Sequence, residues 1–195
     1  MESRLDIMLE LVELEYMLRP VRTMIIRDAD TIEIDGLKVE LKKGVETELP
    51  YWLARQLASK DMAKLIETPI SLEDIARLHF SVISAKTPSD LEPLPQYFYQ
   101  EAKTVIQDLE ERARKELNPA LFEESQKMMQ YLVDIIDKRL TMILQSLRSP
   151  TTIAELSSRL APEEATLLSH LNTVLRKWKE KVLPRHQRFG DNDEP

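Results

Sequence analysis

The chain has 195 residues, of which 43% are hydrophobic and 31% are charged, a composition typical of a globular protein with one or two domains. It contains no cysteine, which excludes disulfides, thiolate metal sites and cysteine nucleophiles. Its three glycines and three histidines are too scattered for a glycine-rich nucleotide loop or a His-Glu-x-x-His zinc motif. The net charge of −7 argues against a general affinity for nucleic acid.

The sequence shows no membrane signal. No apolar run approaches the ~20 residues that span a bilayer. The N-terminal segment has no cationic start, and Glu10, Glu13 and Glu15 interrupt its apolar residues, so it does not read as a signal peptide. The sequence therefore predicts an intracellular protein.

A helix is predicted over residues 2–18, and it carries two apolar stripes instead of one. The first stripe holds Leu5, Met8, Leu9, Val12 and Tyr16, and the second holds Ile7, Leu11, Leu14 and Leu18. A helix this apolar is normally covered on more than one side. We therefore expect its two stripes to dock on two different surfaces.

Within residues 22–49, a short β-type run at 24–26 and apolar–polar alternation at 31–34 and 37–41 predict a small antiparallel sheet of three or four strands. Asp35-Gly36 and Lys43-Gly44 supply turns. A short helix over residues 50–59 is expected to cover the sheet, and residues 63–66 are expected to add a last strand. Pro50 lies in the first turn of this helix, and Trp52, Leu53 and Leu57 form its inner face.

After residue 69 the pattern is helical, with Ser71 and Asp74 forming a capping box at the first helix and prolines separating the others. Helices are predicted over residues 72–85, 96–116, 120–148, 152–160 and 163–182. The predicted fold class is α+β, mostly α. It consists of a small antiparallel β domain with the N-terminal helix (1–68), a helical bundle domain (69–183) and a flexible tail (184–195).

The helix predicted over residues 120–148 has apolar side chains around roughly 200° of its circumference, whereas one packed layer needs only ~100°. One edge of this face holds Phe122, Met129, Leu132, Ile136, Leu140, Ile143 and Leu147, and the other holds Leu121, Met128, Tyr131, Ile135 and Met142. The excess is covered either by other helices of this chain or by another chain. The pattern leaves both possibilities open.

Arg139 lies inside this apolar arc. A buried charge must be paired or it costs several kcal/mol. We expect an ion pair with a carboxylate from a neighbouring helix. The alternative is that the Arg139 side chain reaches the edge of the arc and keeps its charge in water.

Three aromatic residues, Tyr97, Phe98 and Tyr99, meet at the start of the helix over 96–116. Aromatic side chains bury large areas and are enriched at protein interfaces. This cluster is therefore a candidate for the core or for a subunit contact.

Residues 152–175 allow another interpretation, a helix-turn-helix DNA-binding regulator in which Ser169, His170, Asn172 and Thr173 face DNA. The turn at Ala161-Pro162 lacks glycine, and two capped helices of a bundle explain the same pattern. The segment from Arg176 to Arg188 is basic, which is typical of a solvated helix end and secondarily of phosphate binding.

The sequence offers no catalytic set. His79 has no carboxylates at ligand spacing, and nothing in the sequence pairs Asp134 or Asp137 into an acid–base dyad. We therefore expect neither an enzyme nor a cofactor.

The most specific stretch of the chain is Glu48-Leu49-Pro50-Tyr51-Trp52-Leu53-Ala54, which Leu57 follows. Further stretches come later in the chain: Pro95, Tyr97-Phe98, Asp137-Lys138-Arg139 and Thr152-Ile153-Ala154-Glu155. In this order, over residues 22–180, the chain resembles a GINS subunit of the class whose small domain comes first, in its archaeal form. The helix over 2–18 is longer than the lead-in of that class, and the basic tail has no role in it.

The resemblance implies a non-catalytic scaffold of DNA replication. Two copies of this subunit are expected with two copies of a paralogue whose small domain comes last. That heterotetramer joins the MCM replicative helicase to a RecJ-like, Cdc45-type protein, as in the CMG complex, in the cytoplasm at the nucleoid of an archaeon.

For individual residues, the resemblance implies that Arg139 holds the helical core together. The candidates for a subunit interface or for the core are Tyr97, Phe98, Met128, Tyr131, Ile135 and Met142. It implies no membrane partner, and any DNA contact is indirect or weak.

Overall fold

The structure, a computed structural model, describes residues 4–34 and 37–184. The turn predicted at Asp35-Gly36 and the predicted tail from residue 185 onward lie outside the described residues. The fold is α+β and mostly helical, as predicted. In chain order, its elements are α1 (Arg4–Leu18), β1 (Pro20–Ile25), β2 (Ala29–Ile34), β3 (Leu37–Leu41), β4 (Glu46–Pro50), α2 (Tyr51–Ser59), β5 (Ala63–Leu65), α3 (Leu72–Ser84), α4 (Phe98–Glu116), α5 (Pro119–Ser146), α6 (Pro150–Ser157) and α7 (Pro162–Val182).

The strands form two groups instead of the single small sheet that the sequence predicted. β1 lies in the middle of a three-stranded antiparallel sheet, between β4 and β5, while β2 and β3 pair with each other as a separate two-stranded ribbon. Long-range pairs set this order, with Val21 opposite Leu49 and Thr23 opposite Leu65. Leu41, at the end of β3, is buried in the same core as the sheet and holds the ribbon against it.

The predicted turn at Lys43-Gly44 is present. Gly44 has a φ of +83°, which a residue without a side chain adopts at little cost. Its N–H donates to the carbonyl of Ile25 at 2.8 Å, so the turn is fixed to the end of β1.

Side-chain caps start two of the long helices. The Ser71 hydroxyl accepts the backbone N–H of Asp74 at 3.2 Å, and the Asp74 carboxylate accepts the N–H of Ser71 at 3.1 Å, which is the predicted capping box. Asn118 caps α5 by accepting the N–H of Ala120 at 3.0 Å. Pro119 occupies the first position of α5, where no backbone donor is needed.

The buried side chains form two clusters. The smaller cluster lies between the three-stranded sheet and α2 and includes Tyr16, Ile25, Leu49 and Leu57. The larger cluster lies among α3, α4, α5 and α7. α5 is its central helix, because both α3 and α4 pack extensively against it.

α1 contacts both parts of the molecule. Tyr16, near its end, belongs to the small cluster, while Leu5 and Leu9 lie beside α5 and α7. Val12 between them is also buried. The first predicted stripe of α1 is thus largely covered by the chain itself.

Candidate functional site

The wide apolar face of α5 divides into a buried half and an exposed half. α3 and α4 cover the side that holds Met128, Ile135 and Met142, each at most 2% exposed. The adjacent side remains between 40% and 51% exposed at Phe122, Met129, Val133, Ile136 and Leu144, a set called here the α5 stripe. At ~100° per residue, these five side chains lie within an arc of about 80°. The predicted arc is only partly uncovered, because Leu132 and Ile143 of its outer edge are buried, and the exposed surface extends to Val133 and Leu144, which the predicted arc did not include.

Most of the interface-or-core candidates lie inside the chain. Phe98, Met128, Ile135 and Met142 belong to the larger buried cluster, and the Tyr131 ring packs against it. The four buried side chains are unavailable to a partner because they face the core between α3, α4 and α5, whereas Tyr131 is partly buried. The surface that is free on α5 is the opposite edge of the predicted face, which contains Met129 and Ile136.

Arg139 is fully buried and paired, as predicted. Its Nε donates to Glu164 Oε1 at 2.6 Å and its Nη2 to Glu164 Oε2 at 2.8 Å, so the pair has two parallel bonds. Nη1 donates to the carbonyl of Glu92 at 2.9 Å, and Nη2 also donates to the carbonyl of Arg159 at 2.8 Å. One side chain thereby joins α5, the connector before α4, and the turn between α6 and α7.

Glu164 uses both of its carboxylate oxygens. Besides Arg139, Oε1 accepts the Tyr99 hydroxyl at 2.6 Å, and Oε2 accepts the backbone N–H of Ala161 at 2.9 Å. Burial would lower the pKa of the Arg139 guanidinium, but the bonds and charge of Glu164 outweigh it and raise that pKa. Burial and the neighbouring Glu164 charge raise the pKa of the Tyr99 hydroxyl, which remains a donor.

An apolar groove lies beside this buried pair. It has a volume of about 340 Å³ and is lined by Leu5 and Leu9 of α1, Ile136 and Leu140 of α5, and Leu167 of α7, among others. We call it the α1–α5–α7 groove. It is continuous with the α5 stripe through Ile136.

Glu163 borders the groove with an unsatisfied carboxylate oxygen. Its Oε1 accepts Gln100 Nε2 at a long 3.4 Å, while its buried Oε2 has no hydrogen-bond partner in the part of the chain that the structure describes. Burial raises the pKa of this carboxyl group. A buried acceptor without a donor is costly.

The second stripe of α1 forms another uncovered apolar surface. Ile7, Leu11, Leu14 and Leu18 are between 46% and 54% exposed. We call this set the α1 stripe. Its last three members border a shallow depression of about 420 Å³ together with Tyr97, which is half-buried against the small cluster.

The small domain is attached to the helical domain through aromatic and charged side chains. The Tyr16 ring lies 4.8 Å from the Tyr51 ring and 5.6 Å from the Tyr97 ring, between centroids. The Arg19 guanidinium lies 5.0 and 4.9 Å from the first two rings and bonds Glu67 at 2.8 Å. Arg55 on α2 and Asp108 on α4 form an ion pair across the junction.

The motif residues of the small domain serve its packing. Leu49, Leu53, Ala54 and Leu57 are buried, and Trp52 packs against the same cluster with part of its ring exposed. Pro50 is the residue just before α2, where the sequence had predicted it within the first turn. These positions hold α2 on the sheet and bring no polar group into a cavity.

His79 and Asp134 form a contact that the sequence did not predict. His79 Nε2 lies 3.0 Å from Asp134 Oδ2, and the His79 ring packs on the Tyr131 ring at 4.6 Å between centroids. The two residues are 55 positions apart and meet because α3 packs along α5. In the described ranges, no group of three or more His, Asp or Glu residues is placed to hold a metal ion.

The residues of the proposed helix-turn-helix lie on α6 and α7. Ser169 and Asn172 are exposed, while His170 and Thr173 are partly buried. The turn between the two helices is held by Arg139 and Glu164, which explains its geometry without DNA. Beyond Leu175, α7 extends into solvent with Trp178 60% exposed and with basic residues around it.

The described helices include none long and apolar enough to cross a membrane. No protein-family model matches the chain, and no curated protein is significantly similar to it.

Proposed function

We propose that this protein is a non-catalytic structural subunit of a GINS-type complex in DNA replication. In that complex it connects the MCM replicative helicase to a RecJ-like, Cdc45-type protein through protein–protein contacts. Its immediate partner is a paralogous subunit whose small domain comes last. We place it in the cytoplasm of an archaeal cell, associated with the nucleoid.

The order of the parts supports this proposal. A small antiparallel β domain closed by α2 precedes a helical domain built around one long helix, as in the class that the sequence resembles. Leu49 and Ala54 of the most specific motif are fully buried in the small domain. The Arg139–Glu164 pair joins α5 to α7, which supports the cohesive role that the resemblance implies for Arg139.

The observation that carries the proposal is the α5 stripe. Single apolar residues on a surface are ordinary, but five on one edge of one helix form a continuous surface suited to another helix. The buried half of α5 already provides the core of this chain. We therefore assign the exposed half to the paralogous subunit.

The proposal is tested by co-expressing the chain with a candidate GINS paralogue of the small-domain-last class. We expect a stable complex with two copies of each chain. Val133→Glu places a charge in the α5 stripe and is expected to weaken this complex at least about 30-fold, the loss typical of a central interface position. Sedimentation and native mass spectrometry measure it.

The matched control is Phe80→Glu, which changes a 76% exposed side chain on α3. It should leave the complex intact, and circular dichroism should show both variants folded. Capture of MCM by the assembled complex then tests the replication role. Failure to bind any paralogue of this class, or equal binding by the Val133→Glu variant, would contradict the proposal.

A further inference from the structure

The exposed end of α7 is an apolar surface with basic edges. Val174, Trp178 and Val182 are 50% to 60% exposed, and they recur every four residues along one side of the helix. Lys177, Lys179 and Lys181 lie between and beside them. The core of the chain ends before this segment, since Leu168 is the last fully buried residue of α7 among those described.

The beginning of the same helix has the opposite character. Glu163 and Glu164 lie in its first turn, and Glu163 and Leu167 border the α1–α5–α7 groove. Glu164 is neutralised by Arg139, whereas Glu163 Oε2 is buried without a donor among the described residues. The start of α7 is thus acidic and borders an apolar groove. The end of α7 is basic, and its apolar side chains project into solvent.

We propose that the α1–α5–α7 groove binds Trp178 from a second copy of this chain, through antiparallel pairing of the two α7 helices. The indole fits a groove of about 340 Å³ whose lining is almost entirely apolar. Glu163 borders the groove, so a turn of its side chain would let its carboxylate accept the indole Nε1–H. Each copy donates one Trp178 and receives one, so the contact is two-fold symmetric and closes as a dimer.

The spacing along α7 fits this pairing. Glu163 and Trp178 are ~22 Å apart along α7 at a rise of 1.5 Å per residue. In an antiparallel pair, the same distance separates Trp178 and Glu163 of the second copy, so both Glu163–Trp178 contacts can form at once. The register that sets Glu163 beside Trp178 of the second copy also sets Leu167 beside its Val174. All four residues lie within an arc of about 60° on α7 at ~100° per residue.

Charge favours the same occupant. Antiparallel pairing places the basic end around Lys177 and Lys181 of one copy against the acidic start around Glu163 of the other, at both ends of the contact. Parallel pairing would set like charges together. This contact does not depend on the proposed replication role, because it needs only the chain itself.

The first test is the oligomeric state of the purified full-length chain by sedimentation velocity over a range of concentrations. We expect a reversible dimer. Trp178→Ala should weaken it at least about 30-fold, because a central buried tryptophan is a typical hot spot. Phe80→Ala changes an aromatic on α3 that is even more exposed than Trp178, and it should leave the dimer unchanged.

A second test fixes the register. The natural chain has no cysteine, so Leu167→Cys and Val174→Cys introduce the only thiols. When the two single variants are mixed and mildly oxidised, we expect a covalent dimer of one chain of each kind. Either variant alone should give little covalent dimer, because its two thiols lie ~10 Å apart along the paired helices and a disulfide needs closely facing positions.

A third test follows Trp178 itself. In a Trp52→Phe background, Trp178 is the one remaining tryptophan, and its fluorescence emission should shift to shorter wavelength as the dimer forms. A chain that stays monomeric at every concentration overturns the proposal. So does a dimer insensitive to Trp178→Ala. An emission shift that occurs only when a GINS paralogue is added also overturns it, because the groove would then belong to that partner.

Discussion

Arg139 of α5 and Glu164 of α7 form a buried pair with two parallel hydrogen bonds, and each of them also bonds the turn between α6 and α7. The pair is therefore a junction of three segments as well as a neutralised charge. Moving these groups out of water is expensive, and their bonds to one another and to nearby carbonyls offset that cost. Replacing only one of the two residues should destabilise the protein far more than replacing both.

Arg139→Leu leaves the Glu164 carboxylate buried without its cation. We expect the free energy of unfolding to fall by about 3–5 kcal/mol, the range for a broken buried ion pair. Urea denaturation at neutral pH measures the change. The double variant Arg139→Leu/Glu164→Leu should recover part of the loss, because no unpaired charge remains.

A surface pair supplies the comparison. Arg112 and Glu116 on α4 are both more than half exposed, and their closest atoms are 3.5 Å apart. Arg112→Leu should change stability by no more than about 0.5 kcal/mol. A similarly small effect for Arg139→Leu would mean that its side chain is solvated in the native protein.

Local signals were sufficient to predict the helices after residue 69 and most of their ends. The capping box at Ser71 and the prolines that begin α5, α6 and α7 act within a few residues, so the sequence displays them directly. Strand order was not predictable in the same way. Thr23 pairs with Leu65 across more than forty positions, and no local pattern specifies such a pairing.

The sequence predicted that α5 has more apolar surface than one packed layer covers, but it did not predict which edge of the helix is exposed. The width of the apolar arc on α5 indicated a surplus, but the exposed edge is decided by where α3 and α4 pack. The position of Arg139 in the apolar arc predicted an ion pair, but nothing in the sequence identified Glu164 as the partner. Acidic residues in the first turn of a helix are common for dipole reasons alone, so Glu164 carried no distinguishing signal.

Tyr16 and Leu14 offer a matched comparison within α1. Tyr16 is 3% exposed and contacts the rings of Tyr51 and Tyr97, whereas Leu14 belongs to the exposed α1 stripe. Tyr16→Ala should lower stability by about 3 kcal/mol or more, as for other buried aromatics. It should also speed proteolysis near residues 66–70, because the small domain loses its aromatic contact with α4.

Leu14→Ala should change the stability of the lone chain by less than about 1 kcal/mol. Thermal denaturation and limited proteolysis of both variants distinguish the two positions. Equal losses for the two substitutions would show that the α1 stripe is covered in the isolated protein, contrary to the exposed surface described here.

The capping box of α3 makes stability depend on pH in a defined direction. Ser71→Ala should cost about 1 kcal/mol at neutral pH, the usual value for a lost N-cap. Hydrogen bonds from Ser71 lower the pKa of the Asp74 carboxyl, so its stabilising contribution is present above its ordinary pKa. That contribution is lost as the pH falls through the lowered value.

Asp74→Asn should therefore destabilise the protein at neutral pH and become equivalent to the wild type in strong acid. Urea denaturation at a series of pH values measures this convergence. Asp137→Asn, an exposed position on α5, provides the control and should leave the curve unchanged. A difference between the Asp74→Asn variant and the wild type that stays constant with pH would show that the carboxylate is not part of the cap.

Leu117 ends α4 in a left-handed conformation, with φ of 49° and ψ of 42°, and its side chain is 86% exposed. Its N–H donates to the carbonyl of Ala113, which closes the helix. A leucine gains no packing here to offset the strain of a positive φ, whereas glycine adopts this conformation at little cost. Leu117→Gly should raise stability by about 0.5–1 kcal/mol, after allowing for the greater freedom of glycine in the unfolded chain. Leu117→Ala is the control, because it removes most of the exposed side chain and keeps the backbone strain. It should leave the thermal midpoint unchanged. If Leu117→Ala raised stability as much as Leu117→Gly, the gain would come from removing an exposed apolar side chain and not from relieving the backbone.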